Sequence, residues 1–125
     1  MHLQLSLLSD SFAISKLAAD APIPAWATTA PIFSITRTAD ELSIVAPETV
    51  TPNDIRSERG WRALKLEGPF DFALTGVLAS VLQPLADARV SIFAISTFDT
   101  DYVLVRDQSL DAAIATLRSA GHHVS

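Results

Sequence analysis

Two short runs hold the residues whose types and spacing could do chemistry. In the first, Thr75-Gly76-Val77, a glycine stands near the head of an apolar series at Leu74, Val77, Leu78, Val81, Leu82 and Leu85. The i, i+3, i+4 spacing of that series predicts an amphipathic helix. The first backbone N–H groups of a helix lack partners within it, and with the helix dipole they attract an anion such as a carboxylate. A glycine at that point also lets another backbone approach closely; the competing reading is that Gly76 only packs the helix tightly on a strand. In the second run, Thr97-Phe98-Asp99-Thr100-Asp101, carboxylates and hydroxyls could make charge-assisted bonds to an ammonium group. Asp and Thr are also turn formers, because their side chains bond the local backbone. That use weighs most on Asp99 at the loop tip, which leaves Asp101, at a strand start, as the stronger ligand candidate.

Other chemistries find no support. The chain has no cysteine, which removes disulfides, thiolate metal sites and Cys nucleophiles. The Asp99/Asp101 pair lacks the longer set of oxygens and the distal Glu of an EF-hand, so no metal is expected. His122 and His123 are adjacent and would point to opposite faces of a strand, which favours a structural role over joint chelation. No G-x-S-x-G elbow, Walker loop or H-E-x-x-H helix occurs, and neither catalytic residues nor a cofactor are expected. Trp26 and Trp61 read as core or interface anchors.

Composition sets the frame for these residues. A chain of 125 residues with 49% hydrophobic and 18% charged residues can bury a real core, as one domain or two very small ones. A formal net charge of -5 offers no basic footprint for a nucleic acid. No apolar run approaches a membrane span, and the apolar start Leu3-Gln4-Leu5-Ser6-Leu7-Leu8 lacks the basic flank of a signal peptide, so a cytoplasmic protein is expected.

The elements that must position the two runs are clearest in the second half. Residues 61–68 alternate as a half-buried strand does, ahead of a Gly68-Pro69 break. The helix series from Leu74 follows, with Pro84 predicting a kink or restart. Residues 90–98 and 102–105 read as two strands joined by a tight turn. Ser109 can cap a helix with a stripe at Leu110, Ala113, Ile114 and Leu117, Gly121 stands at its left-handed stop, and residues 122–124 form a last short strand. The order β-α-β-β-α-β is the split, ferredoxin-like arrangement of the α+β class. Ile92, Ala94 and Phe98 lie on one face of the central strand and Phe93 and Ile95 on the other, so the face without helices needs a cover, either the first half or a second subunit.

The first half reads as a weak copy. With Asp40 set on Asp99, Thr38 matches Thr97, Ile44 and Val45 match Val103 and Leu104, and Leu5 and Leu7 match Leu64 and Leu66. Its first helix is degenerate, reduced by Pro22, Pro24 and Pro31 to a turn at Ala25-Trp26-Ala27. Its second helix is expected from Thr51 as cap, with Pro52 in the first turn, to about Glu58.

The run from Ser91 through Ile92-Phe93-Ala94-Ile95-Ser96-Thr97-Phe98-Asp99-Thr100-Asp101 to Val105, with Thr75-Gly76-Val77-Leu78 before it and Ala120-Gly121-His122 after it, resembles the tandem ACT-domain family of small bacterial proteins. The same pattern is seen in the CASTOR-type arginine sensors of animals. Pro24-Ala25-Trp26, Glu41-Leu42-Ser43-Ile44-Val45 and Gly60-Trp61 extend the resemblance over nearly the whole chain. It implies two tandem βαββαβ repeats, residues 1–60 and 61–125, in a non-catalytic regulatory module. It further implies a homodimer that binds a small effector, an amino acid, at an inter-repeat or inter-subunit interface. Carried over residue by residue, the ligand positions are Thr75, Gly76, Val77, Thr97, Phe98 and Asp101, to which the turn chemistry adds Thr100. An arginine-binding member also carries a carboxylate beside the glycine. Here Leu74 stands there, and Asp71 is the nearest acid. An interaction module without a ligand, or a small enzyme using Asp99 or Asp101 as base, are the alternatives.

Overall fold

In chain order the strands are β1 (Gln4–Leu17), β2 (Ser34–Arg37), β3 (Leu42–Pro47), β4 (Ser57–Leu66), β5 (Ile92–Ser96), β6 (Asp101–Arg106) and β7 (His123–Val124). Helix α1 (Val77–Asp87) follows β4, and α2 (Leu110–Ser119) follows β6. This computed structural model describes residues 1–71 and 74–125, and they form two compact units, Met1–Ser9 with Arg62–Ser125, and Asp10–Trp61. Division of the sequence at residue 60 places Met1–Ser9 with the first repeat. In the structure these residues belong to the later unit, because the start of β1 runs parallel to β7, with Gln4 opposite His123 and Leu5 opposite Val124.

Within that larger unit β4, α1, β5, β6, α2 and β7 follow in the expected β-α-β-β-α-β order, and the strands lie in the order β1-β4-β6-β5 with β7 on β1. One face of β4 buries Leu64 and Leu66, and the helix stripes bury Val77, Val81 and Leu85 of α1 and Leu110, Ala113 and Leu117 of α2. These meet Leu5, Val103, Val105 and Val124 in one apolar cluster. Each fully buried leucine or valine contributes about 1.5–3 kcal/mol relative to exposure.

Two helix expectations are corrected. The apolar series begins at Leu74, yet α1 begins at Val77, because Gly76 at φ 81° is left-handed and interrupts the turn before it. Pro84 does not restart α1: the helix runs unbroken through it. Pro84 has no N–H to return to the carbonyl of Ser80, and the ring of His122 meets that carbonyl instead, with Nε2 at 2.8 Å.

Both helices end in the same hydrogen-bonded stop. After α2, Gly121 (φ 97°) donates to Arg118 O and His122 to Leu117 O, each at 3.0 Å. After α1, Arg89 donates to Ala86 O at 3.0 Å and Val90 to Leu85 O at 2.9 Å, so Arg89 takes the glycine's place at φ 60°. A non-glycine residue there costs about 1–2 kcal/mol. Arg89→Gly is therefore expected to raise stability by about 1 kcal/mol, less the entropy that glycine adds to the unfolded chain. Chemical denaturation with an unchanged m-value is the check; a lower midpoint would contradict it.

In the Asp10–Trp61 unit, residues 12–17 of β1 pair antiparallel with β3, from Phe12 opposite Pro47 to Leu17 opposite Leu42, and β2 pairs antiparallel with β3. Leu42, Ile44 and Ala46 pack with Ala27 of a short 3-10 turn, Ala25–Thr28, and with the half-buried Trp26. β1 continues to Leu17 before its connection begins, and β4 ends at Leu66.

The second helix expected over residues 51–58 is absent. A 3-10 turn at Glu48–Val50 leads to an extended Thr51 (φ -88°, ψ 120°), and β4 begins at Ser57. Ile55 is the sole apolar residue of that stretch, so a helix there would have no stripe to bury. Thr51 caps nothing ahead of it: its hydroxyl donates backward to Pro47 O at 3.0 Å. Up to that point the two halves keep step, since β3 and its 3-10 turn repeat the lengths and order of β6 and the 3-10 turn Asp107–Ser109.

Candidate ligand-binding site

An open hollow of about 220 Å³ lies in the larger unit, between the segment that leads into α1 and the β5–β6 turn. Phe70, Asp71, Leu74 and Val77 form one wall, and residues 96–101 form the other. Among the described residues Asp71, Asp99 and Asp101 are its charged lining residues, and no Lys, Arg or His lines it. Its field therefore favours a cationic group, on simple Coulomb grounds.

The β5–β6 turn is held rigid by its two threonines. Thr97 N–H donates to Thr100 O at 2.8 Å, the Thr97 hydroxyl donates to the same oxygen at 3.0 Å, and it accepts from Thr100 N–H at 3.2 Å. The Thr100 hydroxyl is buried and donates to Leu66 O at 2.5 Å, which ties the turn to the end of β4. Phe70 N–H donates to Asp99 O at 2.9 Å and fixes the opposite wall to the same turn.

Gly68 makes that contact sterically feasible. A Cβ there would stand 2.9 Å from Asp99 O. At Gly76, by contrast, a Cβ would meet nothing within 4 Å. The close backbone approach anticipated at Gly76 is thus found at Gly68. Gly76 is required for its positive φ, and tight packing on a strand does not explain it. No side chain caps the first turn of α1. Its leading N–H groups remain available to an anion.

Of the residues singled out in the sequence, Val77, Thr97, Phe98, Thr100 and Asp101 come together around the hollow, while Thr75 and Gly76 lie exposed beside it at the helix start and are not among its lining residues. Asp101 accepts a hydrogen bond from the Ser96 hydroxyl. Phe98 stands at the rim with 79% of its surface exposed. Phe70 and Ser96 escaped the sequence reading. Phe70 had a usable signal, an aromatic directly after the Gly68-Pro69 break, whereas Ser96 carried none.

His122 lies away from the hollow, its side chain buried and spent on the fold, with Nδ1 accepting from Leu3 N–H at 3.1 Å. Among the described residues no group of three His, Cys, Asp or Glu side chains could hold a metal ion.

A family model for the ACT domain matches residues 56–119, just over half of the chain, and a second model, of an N-terminal domain, matches residues 10–54. The chain belongs to the ACT-domain family. The cytosolic arginine sensor for mTORC1 subunit 1 of Bos taurus is 32% identical over 96 residues, and its Homo sapiens equivalent is 31% identical over 96. Each match covers 68% of this ACT chain and 29% of the relative, so the chain spans under a third of the length of these sensors. Among solved structures, an Agobacterium tumefaciens protein is 42% identical with a TM-score of 0.95, the match covering 100% of this chain and 93% of that one. The regulatory subunit of aspartate kinase from Thermus thermophilus shares the fold at 12% identity, with a TM-score of 0.66 over 93% of this chain and 96% of its own. Among the described residues no helix is long and apolar enough to cross a membrane.

Proposed function

We propose that this ACT chain is a non-catalytic regulatory module of two ACT-like repeats, and that the hollow beside α1 binds an amino acid. The observation that carries the reading is the presence of opposite chemistries at one cavity: uncapped helix-start amides and Asp71 at one wall, and the carboxylates of Asp99 and Asp101 on the other. The amides suit an α-carboxylate through hydrogen bonding and the helix dipole. Asp101 and Asp99 suit an α-ammonium. Asp71 beside Leu74 supplies a third carboxylate, so a basic side chain is favoured over an acidic one. Thr97 and Thr100 position the turn, because their hydroxyls are already engaged with the backbone. The relatives named as cytosolic arginine sensors, and a regulatory subunit of the same fold, support a regulatory role in the cytoplasm.

Edge strand β5 leaves Ile92, Phe93 and Ile95 only half-buried, which supports a homodimer in which a second copy covers them. Ligand bound at or next to such an interface would stabilise the assembly, and this is the simplest route from occupancy to output. Titration calorimetry with arginine, lysine and glutamate tests the site: a basic amino acid is expected to bind at least tenfold more tightly than glutamate. Preference for glutamate would sink the assignment of the carboxylates. The exposure of Phe98 favours a second reading, docking of a protein partner without any ligand. A dimer unchanged in mass by amino acids, with no heat of binding, would support it.

A further inference from the structure

We infer that the counterpart of this hollow in the Asp10–Trp61 unit is a guanidinium site already filled by the chain's own Arg37. The inference rests on the reading of the hollow as a ligand site. It begins with the turn between β2 and β3. There Thr38 N–H donates to Glu41 O at 2.9 Å, the Thr38 hydroxyl lies 3.5 Å from the same oxygen, and that hydroxyl accepts from Glu41 N–H at 3.2 Å. These are the contacts that Thr97 makes with Thr100, in the same order. The strand pairs agree as well. Arg37 stands opposite Leu42 as Ser96 stands opposite Asp101. Arg37 therefore occupies the place of Ser96, a lining residue of the hollow.

The other wall of the hollow is the segment after β4, and its counterpart is the segment after β1. In the larger unit that segment is tied to the turn by backbone, through Phe70 N–H and Asp99 O. In the smaller unit the guanidinium of Arg37 reaches across in its place: Nη1 donates to Ala19 O, and Nη2 donates to Ala21 O at 2.6 Å. Two carbonyls bound by the two ends of one planar fork form a site for a guanidinium, which a rounder ammonium fits poorly. The first unit thus carries a built-in occupant where the second is open, and one chain takes up one ligand.

The test uses the full chain with Arg37→Ser, which copies the residue of the open unit, and methylguanidinium as the probe. Arg37→Ser is expected to unfold several degrees below the wild type. Methylguanidinium at tens of millimolar should then raise its Tm by more than it raises that of the wild type, whose open hollow can also take the cation, and methylammonium should produce no such difference. A folded variant whose Tm methylguanidinium leaves unchanged would overturn the inference, as would equal responses of variant and wild type. Should Arg37→Ser fail to fold, Arg37→Lys keeps the charge and stem but loses the fork, and the same comparison holds. Amino-acid binding by the wild type is measured separately and is weakened through Asp101→Ala. Its failure would sink the reading of the hollow, whereas indifference to methylguanidinium would sink only the role given to Arg37.

Discussion

His122→Ala is expected to cost about 2–6 kcal/mol. The imidazole serves two buried backbone groups at once. Nδ1 accepts from Leu3 N–H at 3.1 Å, and Nε2 faces Ser80 O at 2.8 Å. The Leu3 contact fixes Nδ1 as the acceptor, so Nε2 carries the proton that goes to Ser80. Truncation leaves a donor and an acceptor without this partner in a region where water enters poorly, at roughly 1–3 kcal/mol each. The Ser80 carbonyl needs the imidazole because Pro84 cannot supply the usual helical N–H. Coupling follows from that dependence. In a Pro84→Ala background the new N–H can take the Ser80 carbonyl, and His122→Ala should then cost less, by at least about 0.5 kcal/mol. Thermal or denaturant unfolding of the four chains measures it. A His122→Ala cost below 1 kcal/mol, or strict additivity with Pro84→Ala, would contradict the account.

Asp101→Ala is expected to weaken amino-acid binding roughly 10- to 100-fold with little loss of stability. A charge-assisted hydrogen bond contributes about 1.5–3 kcal/mol, and each 1.4 kcal/mol is a factor of ten in affinity. The structural work of Asp101 is small by comparison, an exposed bond from the Ser96 hydroxyl. Thr100→Val should show the opposite balance, because it removes a buried hydroxyl that ties the turn to Leu66. Its cost falls first on stability, at about 1–3 kcal/mol. Calorimetric titration beside unfolding separates the two variants. Equal affinity in wild type and Asp101→Ala would remove Asp101 from the site.

The parts of the fold visible in the sequence were those written in periodicity. The stripes of α1 and α2 each bury one face, and such a pattern survives without tertiary context; β4, expected to be half-buried, also buries Trp61 and Ala63 on its second face. The position of Gly121 announced its positive φ, and the run 97–101 announced a turn. What was illegible depended on partners distant in the chain. Nothing near Pro84 indicates that an imidazole from the C-terminus takes up the carbonyl it orphans. The single long strand β1 could not be told from two short strands, since its division between β7 and β3 is set by pairing with segments far along the sequence. No helix forms after Thr51 because a cap and a proline cannot hold one without an apolar stripe to bury.

For the candidate site, residue types in the β5–β6 turn were informative, but their division of labour was not. Thr97 and Thr100 proved to be braces, and Gly68 rather than Gly76 permits the close backbone approach.

Thermal unfolding against the standard amino acids at millimolar concentration tests the central claim most directly. A ligand at about 100 times its dissociation constant adds roughly 2.7 kcal/mol, a rise of several degrees for a chain of this size. The account predicts one or two hits among the basic amino acids, lost in Asp101→Ala. A flat panel from a well-folded protein would contradict it and leave the exposed rim at Phe98 as a protein-docking surface.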